Sequence, residues 1–230
     1  MEYFSNEFFL IALTFGTYFL GKLLRRWTGW VVMNPILVSI CCLIVFLKVT
    51  GVSYETYNQS GKMIEFWLRP AVVALGVPLC MQLSTIKKQL TPILLCEFIG
   101  CVVGIVSVVY IAKAMGASRE VILSLASKSV TTPIAMEVTK SIGGIPPLTA
   151  AVVVCVGLMC AVCGYRTMGF ARVKSPVAQG LSMGTAAHAV GTATAMEKSP
   201  VHGAYASLGL TLNGILTSLL TPSIIPLLGV

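Results

Sequence analysis

Apolar runs of about 17–22 residues, separated by short polar stretches, recur along the whole chain. A helix needs about 20 such residues to cross a hydrocarbon core. Inside lipid every backbone N–H and C=O must find a partner within the protein, which leaves helices and closed barrels as the spanning structures. The period here is helical, not the strict alternation of a barrel strand. Of 230 residues, 56% are hydrophobic and 10% charged, against about 25% charged in a soluble domain. The expected class is therefore an all-α integral membrane protein.

Spanning helices are predicted over residues 8–24, 31–47, 64–83, 93–114, 148–168 and 205–228, the third interrupted by Pro70 and Pro78. Residues 51–62 read as a polar loop. Asn34 and Asn213 are polar groups within spans, fit for a helix–helix hydrogen bond or for lining a pore. Glu97, near the start of the fourth span and close to an interface, reads as structural. The first run lacks the charged leader and cleavage site of a signal peptide, so it reads as a retained helix. One membrane domain over 1–230 is expected, with spanning helices in 1–115 and a repeat-containing core in 116–230.

The repeat is specific. Residues 128–137 (KSVTTPIAME) return sixty positions later as residues 188–197 (HAVGTATAME), with Val130, Thr132, Ala135, Met136 and Glu137 matched by Val190, Thr192, Ala195, Met196 and Glu197. Paired polar breaks at corresponding places in two repeats point to a binding site at the bilayer midplane. Each copy has about ten residues on either side of its break. Such an arm is about 15 Å long, half of a roughly 30 Å core, so each copy is expected to enter the membrane and return. Charge agrees. With re-entrant copies and the N-terminus outside, nine basic residues face the cytoplasm and five face out, whereas full crossings remove the bias. Two hairpins separated by one spanning helix enter from opposite faces, which gives an inverted pair and a total of six spans plus two hairpins.

Irregular backbone at membrane depth has to be buried in protein or line a wet cavity. Thr132 followed by Pro133 reads as an N-cap with a first-turn proline, and Thr192 with Ala193 holds the same place in the second copy. Two half-helix N-termini facing one another would attract an anion. Hydroxyls of Ser129, Thr131, Thr132, Thr192 and Thr194 would bind a carboxylate or 2-hydroxyl, beside Pro133 and Gly191. Lys128, costing about 2.5–3.5 kcal/mol at a helix centre, would supply fixed positive charge, with Glu120, Glu137, Glu197 or a bound anion as its partner. His188 would be a titratable donor suited to a proton-linked step. The competing readings are structural: Lys128 reaching an interface, His188 as a hydrogen-bonded core histidine, and the small residues as close helix packing. Gly180 and Gly184 fit packing better than a ligand role, and Met136 and Met196 read as packing residues.

Other classes are poorly served. The net charge of +8 sits mostly in loops, with no basic stripe or aromatic platform for nucleic acid; lipid head groups suit it better. Eight cysteines fall within apolar runs and read as small packing residues. There is no Asp and only eight Glu. No nucleophile–base pair, metal-ligand cluster or phosphate loop is present, so no enzyme, metal or cofactor is implied.

Residues 68–79 (LRPAVVALGVPL), 128–135 (KSVTTPIA) and 184–193 (GTAAHAVGTA) resemble the LrgB/CidB family of bacterial membrane proteins, and the likeness covers nearly the whole length. The first motif departs from its relatives at Cys80, where an aromatic residue is common. The resemblance implies two functions. One is a holin-like or antiholin-like role affecting murein hydrolase activity and autolysis. The other follows the related plastid glycolate/glycerate translocator: secondary transport of glycolate, glycerate, lactate or pyruvate across a bacterial inner membrane. It also implies a small LrgA/CidA-type membrane partner. Elevator-like carriers are often homo-oligomers, by analogy alone.

Overall fold

The computed structural model describes residues 6–29, 33, 35–67, 70, 80–81 and 83–230. Among them it forms α-helices and no strand. Four helices are long and apolar enough to cross a membrane, and a fifth apolar helix is shorter. The molecule is an all-α polytopic membrane protein. It divides into two compact units, residues 1–75 and 76–230.

The first unit contains α1 (Glu7–Thr28), α2 (Pro35–Thr50) and α3 (Tyr54–Phe66). Asn6 caps α1 by accepting the Phe8 N–H at 2.9 Å, and Gly29, at φ 64°, ends it. A Cβ at Gly21 would stand 2.8 Å from the Pro35 backbone, so α1 and α2 approach closely there. Hydroxyl contacts of Thr17 with Ser39 (2.9 Å) and Thr14 with Tyr57 (3.0 Å) tie α1 to its neighbours. The helix α3 corrects the expected polar loop. Its Gly and Asn residues signalled a turn, yet Thr56, Tyr57, Ser60, Gly61 and Ile64 share one inward face at helical spacing. Most of the expected third span, with Arg69 and Pro78, lies outside the described residues, as does Asn34.

The second unit contains α4 (Leu83–Lys88), α5 (Leu90–Ala114), α6 (Arg119–Ala126), α7 (Thr132–Ile142), α8 (Pro146–Phe170), α9 (Pro176–Lys198) and α10 (Pro200–Leu227). The last four each carry proline in the first turn, where its missing N–H costs no helical bond. Large side chains on the outer face of α5, among them Phe98, Ile99 and Val103, are exposed and suited to lipid. Its inner face packs Val109 and Ala112 against Ile122, Leu123 and Ala126 of α6 and Ile225 of α10.

Both repeat copies fold back on themselves. In the first, α6 and α7 are about 12 and 16 Å long by their eight and eleven residues. Ser127 at the end of α6 donates to the Ala135 carbonyl (3.1 Å) and contacts the Thr139 hydroxyl (3.0 Å) on α7. The chain returns far enough for the Ile145 N–H to reach Ser124 Oγ at 2.7 Å. In the second copy, α9 is two half-helices joined at His188, whose φ of 43° and ψ of −134° reverse the chain within one residue. Gly191 then lies against the Met183 carbonyl and the Ala187 side chain, and Lys198 at the end of the return arm bonds Gln179 near the start of the entering arm (2.8 Å).

The spanning helix α8 orders the two hairpins. Thr149, near its start, meets both arms of the first hairpin through Ser124 O and Thr139 Oγ1, each 2.9 Å away. Val153, one turn on, packs on Val130 of the first tip, and its carbonyl meets His188 Nε2 of the second at 2.9 Å. Toward its far end, Tyr165 and Met168 pack with Met183 and Ala206, and Lys198 lies 3.8 Å over the Tyr165 ring. The hairpins therefore approach from opposite ends of α8 and meet tip to tip partway along it.

Candidate functional site

One side chain binds the two tips together. Asn213, buried midway along α10, donates to Ser129 O of the first hairpin (3.0 Å) and to Thr185 O of the second (2.9 Å). Its reading as a hydrogen-bonding link between segments holds, and it also lines a cavity of about 310 Å³. That is at the small end of ligand pockets, which run to about 1,000 Å³. The polar lining converges from four elements: Lys128 and Ser129 from the first tip, Ser182 and Thr185 from the second hairpin, Asn213 and Thr217 from α10, and Glu97 from α5. Gly100 and Gly104 of α5 leave the room, and a Cβ at Gly104 would meet nothing within 4 Å.

Lys128 follows the last turn of α6, in the short irregular segment between the arms. Its Nζ donates to Ser129 Oγ at 3.2 Å, and it lies within electrostatic range of Cys160 of α8, whose thiol is 4.0 Å from the Ala186 carbonyl of the other hairpin. Lys128 is thus turned into protein and cavity. Glu120, Glu137 and Glu197, its suggested partners, are all exposed, and none lines the cavity.

Glu97 is the residue that sequence reasoning missed. It is 1% exposed, Oε1 accepts the Thr185 hydroxyl at 2.5 Å, and Oε2 has no hydrogen-bond partner among the described residues. The expected span began at residue 93, which put Glu97 at an interface. The helix begins at Leu90, which puts the carboxyl about 10 Å along it instead of about 6 Å. The available signal was an ionisable residue within an apolar run, which by itself marks a functional candidate in a membrane.

The other expected residues have structural positions. Thr131, not Thr132, is the N-cap of α7, and its side chain makes no cap bond; Thr132 and Pro133 form the first turn. In the second copy the break falls at His188, four residues before Thr192, because Gly191 lets the return arm start at once. Thr192 is fully buried and donates to His188 O at 2.9 Å, while Thr194 donates to Val190 O at 3.0 Å. His188 itself is 4% exposed, and with a carbonyl as partner its Nε2 carries the hydrogen. Its ring lies against Gly157, where a Cβ would come within 2.7 Å. None of these six residues, nor Gly191, lines the cavity. Gly180 and Gly184 pack on the His202 and Ala206 backbone, as their spacing implied.

A family model described as LrgB-like matches residues 14–227. The proteins named antiholin-like protein LrgB from Bacillus mycoides (strain KBAB4), Bacillus cereus (strain B4264) and Bacillus anthracis (strain CDC 684 / NRRL 3495) are each 36% identical over 225 residues. The alignments cover 97% of this chain and 98% of each relative. No solved structure matches. A match this long, over all the helices that build the hairpins and their cavity, makes the chain a member of the LrgB-like family.

Proposed function

We propose that the chain is a secondary carrier of small monocarboxylates, of the glycolate, glycerate, lactate and pyruvate class, across a bacterial inner membrane. One observation carries this: a lysine ammonium opens on a cavity between two hairpin tips, ringed by hydroxyls and an amide. Lys128 would take the carboxylate, with the Ser129 hydroxyl, which accepts from Lys128 and keeps its own hydrogen, donating to a carboxylate oxygen. Thr131, Thr132, Pro133, His188, Gly191, Thr192 and Thr194 would act by shaping the tips that hold it. The matched sequences of the hairpins and their opposed entry support an inverted repeat, and movement of the hairpin-bearing part would alternate access to the site. An LrgA/CidA-type membrane partner and self-association belong to the same proposal.

The test is counterflow of radiolabelled glycolate by purified protein in liposomes, with and without an LrgA-type partner. A carrier saturates and exchanges. Gly104→Leu extends a side chain into the cavity from a helix that accepts it, so it should cut uptake about tenfold or more without loss of folded protein. Full uptake in that variant would remove the cavity from the path.

The relatives' printed name favours a second reading, an antiholin-like membrane protein, and supports it more directly than it supports transport. The holin-like form of that reading is a pore, which passes unrelated solutes without saturation. Linear, unselective flux from the same liposomes would establish it over the carrier.

A further inference from the structure

We infer that Glu97 carries a proton through the membrane together with the carboxylate, an assignment that rests on the transport reading above. Charge accounting leads there. Lys128 and Glu97 line the same cavity. With the ammonium charged and the carboxyl ionised, the empty site is neutral. A bound monocarboxylate makes it one unit negative, and a net charge at membrane depth is costly. A proton taken from water onto Glu97 Oε2 restores neutrality. On the far side the anion and the proton leave, and Glu97 again balances Lys128. Both the loaded and the empty carrier cross uncharged.

The geometry provides for such a proton. Oε1 is engaged by Thr185, whereas Oε2 is buried and has no partner among the described residues. The space around the carboxyl is kept by Gly209 of α10: a Cβ there would stand 3.1 Å from Oε1 and 3.0 Å from Thr185 Oγ1. The titratable surroundings are sparse. On α5 they are Cys96 and Cys101, the latter held to Thr217 at 3.4 Å. The first hairpin contributes Lys128, with Cys160 of α8 beyond it. The cavity-lining parts of α9 and α10 contribute none, and Tyr205 of α10 packs nearby on Ile93 and Leu181. His188 is outside the cavity, with its Nε2–H given to Val153, so it is not the coupling group.

The experiment uses the full chain in phosphatidylethanolamine–phosphatidylglycerol liposomes with radiolabelled glycolate. An inward proton gradient of one pH unit should drive about tenfold accumulation by wild type. Glu97→Gln should keep counterflow within about threefold while its accumulation ratio falls to about one. Glu97→Asp should recover accumulation. Tenfold accumulation by folded Glu97→Gln overturns the assignment, as does loss of counterflow in that variant. If Glu97→Gln fails to fold, Thr185→Val decides: a moved pH midpoint of uptake supports the proton site, and an unmoved one overturns it. Wild-type protein without saturable counterflow sinks the transport reading itself and this assignment with it.

Discussion

The two hairpins share a sequence pattern and solve the same folding problem differently. In the first, the arms are held by buried hydroxyls: Ser124, Ser127, Thr139 and Thr149 are all fully buried and mutually bonded. Its turn occupies several residues, and one of them, Lys128, faces the cavity. Sixty positions on, Ser124, Ser127 and Thr131 become Gly184, Ala187 and Gly191. Without the hydroxyls the backbones approach directly, the turn shrinks to His188, and the residue equivalent to Lys128 is drawn into the packing. Wide polar turns present a side chain to a site; tight small-residue turns consume it.

The sharpest way to break this comparison is to exchange the turn residues. Gly191→Thr introduces the first copy's residue into the second, where a Cβ collides with the Met183 carbonyl and the Ala187 side chain. Overpacking against backbone should cost about 3 kcal/mol, seen as loss of thermal stability in detergent. The reciprocal Thr131→Gly should cost only a few tenths of a kcal/mol, because that cap position makes no side-chain bond. Equal losses would mean that the two turns are built alike after all.

Next in size is the pair at the head of each repeat. Lys128→Met should reduce glycolate uptake about 10- to 100-fold, the worth of a charge-assisted contact of about 1.5–3 kcal/mol, at unchanged protein abundance. His188→Gln should instead lower stability by about 1 kcal/mol through the Val153 bond and leave uptake within about threefold. The reverse pattern, normal uptake in the lysine variant and none in the histidine one, would move the site to the second tip.

This asymmetry marks the limit of what the sequence reveals. Helical period, the sixty-residue repeat and arm length were enough to read two segments that fold back on themselves, because they depend on local periodicity and on where the polar breaks fall. Lys128 and Ser129 were legible as cavity residues for a similar reason: a lysine in an apolar segment has few places to go. The aligned residues His188, Thr192 and Thr194 were not separable from them by pattern, since their fate turns on whether Gly191 lets two backbones touch. Glu97 needed the true start of α5, and α3 needed its inward face of small and aromatic side chains to outweigh its turn-forming residues.

A smaller effect is expected where the tips are joined. Asn213→Ala removes two donors to carbonyls on different hairpins and should cost about 1–2 kcal/mol. Ser127→Ala removes a bond within the first hairpin alone and should cost about 1 kcal/mol. Hydrogen exchange separates them: the asparagine variant should speed exchange in both 119–142 and 176–198, and the serine variant in 119–142 only. Identical exchange maps would deny Asn213 its bridging role.

The smallest effect concerns how the arms of each hairpin are fastened. The first hairpin is closed on α8 by hydroxyls that water does not reach. The second is closed by Lys198, which is exposed, through Gln179 and the Tyr165 ring, with His202 Nε2 3.1 Å from the same Gln179 oxygen. An exposed cation–ring contact is worth about 0.5–1 kcal/mol, so Lys198→Ala should hardly change the melting temperature. It should still raise the opening rate of 176–198 about two- to fivefold by hydrogen exchange, since about 0.5–1 kcal/mol is that factor, and leave 119–142 unchanged. Such a result would identify the second hairpin as the side from which the cavity is unsealed, because its fastening is weak and solvent can compete for it. Equal acceleration in both hairpins would mean that they open as one piece, and the contrast in their fastenings would have no bearing on access.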